Sequence, residues 1–142
     1  MGSLLEIAAV VVTGPLLGVE FAVAAIVGPL TAKLPDSGFR LIRTGGGRWL
    51  GALMPFWYIG ATALLVAAAI TSPGVPVIVA AVFMAATVVL SVTVLVPINN
   101  RVVRWASDAD VDRALARRWD RFHWVRVGLL AGTLILLAIS QI

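Results

Sequence analysis

Hydrophobic and polar positions divide the chain into four long apolar runs, at about residues 4–30, 50–70, 75–98 and 122–142, with shorter polar stretches between them. About 20 helical residues cross the ~30 Å hydrocarbon layer of a bilayer, so each run is long enough to span it. Backbone in lipid must satisfy its own hydrogen bonds, which a helix does within one segment. The pattern predicts an all-α integral membrane four-helix bundle, a single domain over residues 1–142. Runs two and three are joined by Thr71-Ser72-Pro73-Gly74, an uncharged turn so short that those two helices must be antiparallel.

Polar residues inside the runs are few and patterned. At about 100° per residue, Glu6, Thr13, Glu20 and Thr31 share one stripe of the first helix. An ionisable group facing lipid is costly, so that stripe is expected to face the interior, with Glu20 as a functional candidate beside the simpler reading of a paired structural carboxyl. Gly14 and Gly18 have the GxxxG spacing that permits close helix approach. The third run ends Val96-Pro97-Ile98-Asn99-Asn100-Arg101, where Pro97 should free the Thr93 carbonyl and the two asparagines place amides at the helix end. The fourth opens Trp119-Asp120-Arg121-Phe122-His123-Trp124-Val125-Arg126, and Trp119, His123 and Arg126 fall on one face. Ordinary counterparts of these readings are a helix-ending cap, an interfacial histidine and a snorkelling arginine.

Composition agrees with a lipid environment: 61% of residues are hydrophobic and only 13% charged, with a mean hydropathy of +1.02. Charge then supplies an orientation. Every Lys and Arg lies between Lys33 and Arg48 or between Arg101 and Arg126, while the hairpin between runs two and three carries none. The positive-inside rule predicts a multi-pass cell-membrane protein with both termini outside and the basic loops cytoplasmic. Trp49, Trp57, Tyr58, Trp105, Trp119 and Trp124 gather toward that side and are read as interfacial anchors. Gly45-Gly46-Gly47 follows no strand and precedes no Lys-Ser/Thr pair, so it reads as flexible loop rather than phosphate cradle. In the second basic stretch, Ser107 with Asp110 resembles a capping box. Acids come first there and arginines follow, predicting a cytoplasmic amphipathic helix that leads into the fourth span. Ala22-Val23-Ala24 imitates a signal cleavage site, but the start carries Glu6 and no basic residue, against that reading.

Several chemistries drop out. Nucleic-acid binding needs an exposed basic face on a soluble fold, so no nucleic-acid partner is expected. There is no cysteine, which removes disulfides and thiolate chemistry, and one histidine cannot build a multi-His metal site. No cofactor is expected; haem held by His123 is the one such option weighed. Glu20 sits in the cytoplasmic half of its helix, level with Asn99, Asn100, His123 and Arg126, and this shared depth is the main functional signal.

Taken together, Gly18-Val19-Glu20-Phe21, Gly28-Pro29-Leu30, Val96-Pro97-Ile98-Asn99 and the segment from Trp119 to Arg126 resemble the anthrone-oxygenase-like small membrane proteins, across essentially the whole chain. The resemblance implies oxidation of a polyketide anthrone to an anthraquinone by dioxygen, and its motif positions are His123, Arg126 and Asn99. Glu20 is added from the polar stripe. On this expectation His123 or Glu20 is the base that removes a benzylic proton. Arg126 and Asn99 hold the developing enolate oxygen. Asn100, Trp119, Thr13 and Thr93 contact substrate. The partners are a small hydrophobic aromatic substrate, dioxygen and the lipid bilayer, with a homodimer compatible with so small a chain. The alternative is a non-enzymatic membrane protein that binds a lipid-like ligand or a partner subunit. A proton-coupled transporter using Glu20 is weaker, because the outer half offers only Glu6, Thr13, Thr87, Thr133 and Ser140 as scattered polar positions.

Overall fold

The computed structural model describes residues 2–142, and among them it is all helical, with no strand. Four stretches are long and apolar enough to cross a membrane, as expected of a multi-pass membrane protein: Leu4–Ala32, Asp36–Thr71, Val75–Val102 and Arg113–Ile139. The first consists of α1 (Gly2–Ala22), a π-helical turn (Val23–Val27) and α2 (Gly28–Ala32). The second is α3 (Asp36–Thr71) alone. The third is α4 (Val75–Leu90), a π-helical turn (Ser91–Leu95) and α5 (Val96–Val102), and the fourth is α6 (Arg113–Ile139).

Each π turn ends two residues before a proline. Proline lacks an N–H, and its ring collides with the carbonyl four residues back. In place of a broken helix, the chain inserts one residue per turn: Gly28 donates to Val23 O ahead of Pro29, and Val96 donates to Ser91 O ahead of Pro97. The expected break at Pro97 is therefore absorbed as a π bulge, a device that recurs near functional sites.

The first basic stretch is not a loop. Only Lys33 to Pro35 separate α2 from α3, and Asp36 to Trp49 are helical, the Gly45-Gly46-Gly47 run included. Each helical glycine costs about 1 kcal/mol relative to alanine, and at Gly47 close packing offsets it. A Cβ there would lie 2.7 Å from Asn99 Oδ1 and 2.9 Å from Val103 Cγ1. Three ion pairs tie this end of α3 to the rest of the basic end: Arg40–Asp108 at 2.9 Å, Arg43–Asp120 at 2.7 Å and Arg113–Asp36 at 2.8 Å. Beneath them Phe39, Ile98, Val102, Trp105, Leu115 and Ala116 form a small core of their own.

The Ser107–Asp110 capping box is present, but it closes only a 3₁₀ turn, Asp108–Asp110. The Asp110 carboxylate accepts from the Ala106 and Ser107 backbone N–H groups, both at 2.9 Å, which holds its pKa below the usual carboxylate value. The helix proper starts at Arg113, capped by Asp112 accepting from Leu115 N–H at 2.9 Å, and runs unbroken to Ile139.

The main core joins all four spans through Ala9, Leu16, Met54, Leu65, Met84 and Leu130, among others. Gly132 lets α6 close on α4, since a Cβ there would meet the Phe83 ring at 2.6 Å. Gly14 and Gly18 do not act in this way: a Cβ on either would meet nothing within 4 Å, and they line an open apolar groove with Gly128 instead. The aromatic anchors also divide. Trp49 (80% exposed) and Trp124 (47%) face outward, whereas Trp105 and Tyr58 are buried and the Trp57 indole donates to Val12 O at 3.0 Å.

Candidate functional site

The polar stripe of α1 does face inward: Glu6, Thr13, Glu20 and Thr31 are all buried. Glu20 is the centre of the site. Its Oε1 accepts from the Tyr58 hydroxyl of α3 at 2.9 Å, and its Oε2 accepts from Arg126 Nη2 of α6 at 2.8 Å. The two side chains of this ion pair are only 4% and 9% exposed. Burying such charges is costly unless each is paired and hydrogen-bonded, as both are here.

His123, 1% exposed, fixes the backbone of the same turn, with Nε2 lying 2.9 Å from Glu20 O. A carbonyl can only accept, so Nε2 carries the hydrogen; Nδ1 then accepts from Arg126 Nη2 at 3.0 Å. This assigns the neutral Nε2–H tautomer. The 3.4 Å between His123 Nδ1 and Glu20 Oε2 is therefore the separation of two acceptors sharing one guanidinium nitrogen, not an ion pair. Arg126 Nη1 reaches Ser91 Oγ, in the second π turn, at 3.3 Å. One buried network thus draws on every span: Glu20, Tyr58, Ser91, and His123 with Arg126.

Trp119, one turn before His123, stacks on its ring with centroids 4.6 Å apart and planes at 15°. It also belongs to the wall of an open pocket with a volume of about 100 Å³. That is below the range of about 300–1,000 Å³ typical of small-molecule sites, so a three-ring ligand would have to extend through the open mouth. Val23, Val27, Leu50 and Val102 make its apolar wall, and Arg43, Asn99 and Asp120 its polar positions. Arg43 is clamped by Asp120 through two bonds of 2.8 and 2.7 Å. Asn99 is seated in a glycine notch of α3: its Nδ2 donates to Gly47 O at 3.1 Å, and a Cβ on Gly51 would come within 3.2 Å of it.

A family model described as anthrone oxygenase matches residues 39–136, well over half of the chain. The chain belongs to the anthrone oxygenase family. The matched segment contains Tyr58, Ser91, Asn99, Trp119, His123 and Arg126; Glu20 lies before it. Comparisons with curated proteins and with solved structures returned no match.

The residues singled out from the sequence fall into three groups. Glu20, His123 and Arg126 meet in the buried network. Asn99 and Trp119 line the adjacent pocket, and Trp119 is the only one of these that touches both. The remaining three stand apart: Asn100 and Thr93 are exposed, Thr93 Oγ1 donating to Val89 O in its own helix at 2.7 Å, while Thr13 is fully buried with Oγ1 unpartnered. Tyr58, Ser91, Arg43 and Asp120 were not anticipated. Tyr58 could have been found as the one hydroxyl-bearing aromatic inside the second run. Both His123 ring nitrogens are hydrogen-bonded within the network, and among the described residues no three His, Cys, Asp or Glu side chains gather as metal ligands.

Proposed function

We propose that this anthrone oxygenase family member is a four-helix membrane bundle that oxidises a flat, hydrophobic aromatic ketone of the anthrone kind with dioxygen. One observation carries the reading: the Glu20–Arg126–His123–Tyr58 network stands directly against Trp119, and Trp119 is a wall of an apolar pocket. The substrate lies in that pocket. Glu20 or His123 takes a benzylic proton alpha to the carbonyl, reached by displacement of the Trp119 ring. Arg126 and Asn99 stabilise the resulting enolate oxygen. The electron-rich anion passes an electron to dioxygen, and recombination forms a carbon–oxygen bond and a hydroperoxide. The peroxide takes up the first proton to become that hydroperoxide; loss of the second benzylic proton then breaks the O–O bond and expels hydroxide, which leaves as water with the second proton. One dioxygen and one anthrone give one anthraquinone and one water. The basic end faces the cytoplasm, both termini lie outside, and residues 113–121 form the amphipathic helix that leads into the last span; the confinement of every Lys and Arg to that end supports this.

A second reading has its own support. Both Glu20 carboxylate oxygens and both His123 ring nitrogens are already hydrogen-bonded, as in a purely structural tie within a ligand-binding protein. Oxygen uptake with anthrone in nanodiscs separates the two. The oxygenase reading expects wild-type uptake above that of empty nanodiscs and a large loss in Glu20→Gln or His123→Ala. Equal uptake by wild type and both variants, each folded, would leave only the binding protein.

A further inference from the structure

A pocket of about 100 Å³ cannot enclose three fused rings, so what its mouth opens into decides what can reach it. Two stripes of residues, each spaced by four, line it: Val23, Val27 and Thr31 on the first span, and Ile42, Gly46 and Leu50 on α3. Of the described residues that line the pocket, only Val27 and Ile42 are exposed, at 43% and 40%. One belongs to each stripe, so the pocket opens between the first and second spans. Both are aliphatic, and their neighbours Ile26, Leu30 and Leu41 are exposed aliphatics as well. Such a rim is costly in water and at no cost in hydrocarbon. Arg40 and Arg43 lie close to Ile42 in the chain but are turned away to Asp108 and Asp120. Lys33 stands six residues beyond Val27, about 9 Å of helix. The mouth therefore faces lipid, just below the charged layer of the basic end.

Gly46 is the one member of either stripe without a side chain. Close packing accounts for Gly47 but not for Gly46, where a Cβ would meet nothing within 4 Å. Gly45 has the same open surroundings and does not line the pocket. What the missing side chain of Gly46 leaves is a gap in the wall, between Ile42 and Leu50 on its own stripe and beside Val27 on the other. From this we infer that Gly46 holds open a side entrance between the first and second spans, through which a planar aromatic molecule dissolved in the bilayer reaches the pocket. The inference rests on the proposed function for its ligand class. It makes Gly46 the residue that sets how large a ring system can enter. A ligand longer than the pocket then lies partly in the gap, its outer ring against Val27 and Ile42.

Two measurements in nanodiscs test the entrance. The chain has no cysteine, so Val27→Cys carries a single nitroxide label at the rim. Dioxygen concentrates in hydrocarbon and a nickel chelate stays in water. At a lipid-facing mouth dioxygen should relax the nitroxide several times more strongly than the chelate does; stronger relaxation by the chelate would put the mouth in water and overturn the inference. For turnover, Gly46→Leu puts four carbons into the gap, and Gly45→Leu makes the same change one residue away, off the pocket wall. Leucine is a better helix former than glycine, so both variants should fold. With anthrone, kcat/KM should fall at least about tenfold in Gly46→Leu and stay within about twofold of wild type in Gly45→Leu. A folded Gly46→Leu at the wild-type value refutes the entrance and leaves the oxygenase standing. If wild type shows no oxygen uptake above empty nanodiscs, the proposed function fails instead. The entrance is then judged by whether anthracene shields the Val27 nitroxide from dioxygen, and an absence of shielding overturns it too.

Discussion

Replacing Arg126 by methionine should destabilise the protein by about 3–5 kcal/mol, the usual cost of removing one partner from a buried ion pair. At 2.8 Å, the Arg126–Glu20 attraction is about 6 kcal/mol for an effective dielectric of about 20. Desolvation of the two groups offsets much of this in the intact pair, so the pair adds little net stability. The loss appears when one partner goes. Without Arg126, Glu20 Oε1 keeps the Tyr58 hydroxyl, but Oε2, His123 Nδ1 and Ser91 Oγ all lose the same donor. Glu20→Leu should cost a similar amount, for it leaves the guanidinium buried and uncompensated. The double variant removes both charges. Its cost reduces to unpaired neutral groups, about 1–3 kcal/mol, so the singles should sum to at least ~3 kcal/mol more than the double. Reversible unfolding in bicelles, followed by tryptophan fluorescence, measures all four proteins. Single variants within about 1 kcal/mol of wild type, with additive effects, would mean that water reaches the pair, and the dry network would have to be given up.

Three further outcomes follow from the packing and the basic end. Gly47→Ala should lose about 1–3 kcal/mol by overpacking against Asn99 and Val103, whereas Gly45→Ala, with open space around its Cβ, should gain up to ~1 kcal/mol in the same unfolding assay. Gly132→Ala should likewise lose about 1–3 kcal/mol against the Phe83 ring, while Gly128→Ala meets nothing and should be near neutral or stabilising. Asp110 has a folded pKa lowered by the Ser107 and Ala106 N–H groups, so the hold it gives is complete above its ordinary value of 3.8 and is lost as pH falls through the lower folded value. Amide resonances of Ala106 and Ser107 should therefore stay in place from about pH 7 down to 3.8 and move only below it; movement at higher pH would contradict these bonds.

Much of the site was legible because two independent periodicities pointed to it. The 100° stripe of the first span placed Glu20 inward, and the Trp119/His123/Arg126 face of the fourth placed its partners at the same depth. Tyr58 was not legible, since an aromatic near a run of positive charge reads equally well as a headgroup anchor. Asn99 and Asn100 cannot be told apart from their order alone. Successive helical residues point about 100° apart, and the π turn at Ser91–Leu95 rotates everything after it by an extra residue. Only Asn99 then reaches the glycine notch. The helix at Asp36–Trp49 was missed for a related reason. Three glycines in a row favour a loop locally, and what makes Gly47 helical is a side chain 52 residues away. The first basic stretch reads as a loop because charge patterning cannot distinguish solvated arginines from Arg40 and Arg43, which are locked to Asp108 and Asp120.

The central claim is that a hydrophobic ketone and dioxygen meet beside the Glu20–Arg126–His123 network. Isotopically heavy dioxygen, supplied with anthrone to wild-type nanodiscs and followed by mass analysis of the quinone, tests it most directly. The account predicts one heavy oxygen in the quinone, formed well above the rate in empty nanodiscs, and little above that background in the folded Glu20→Gln and His123→Ala variants. Heavy quinone forming no faster with the protein than without it would contradict the account.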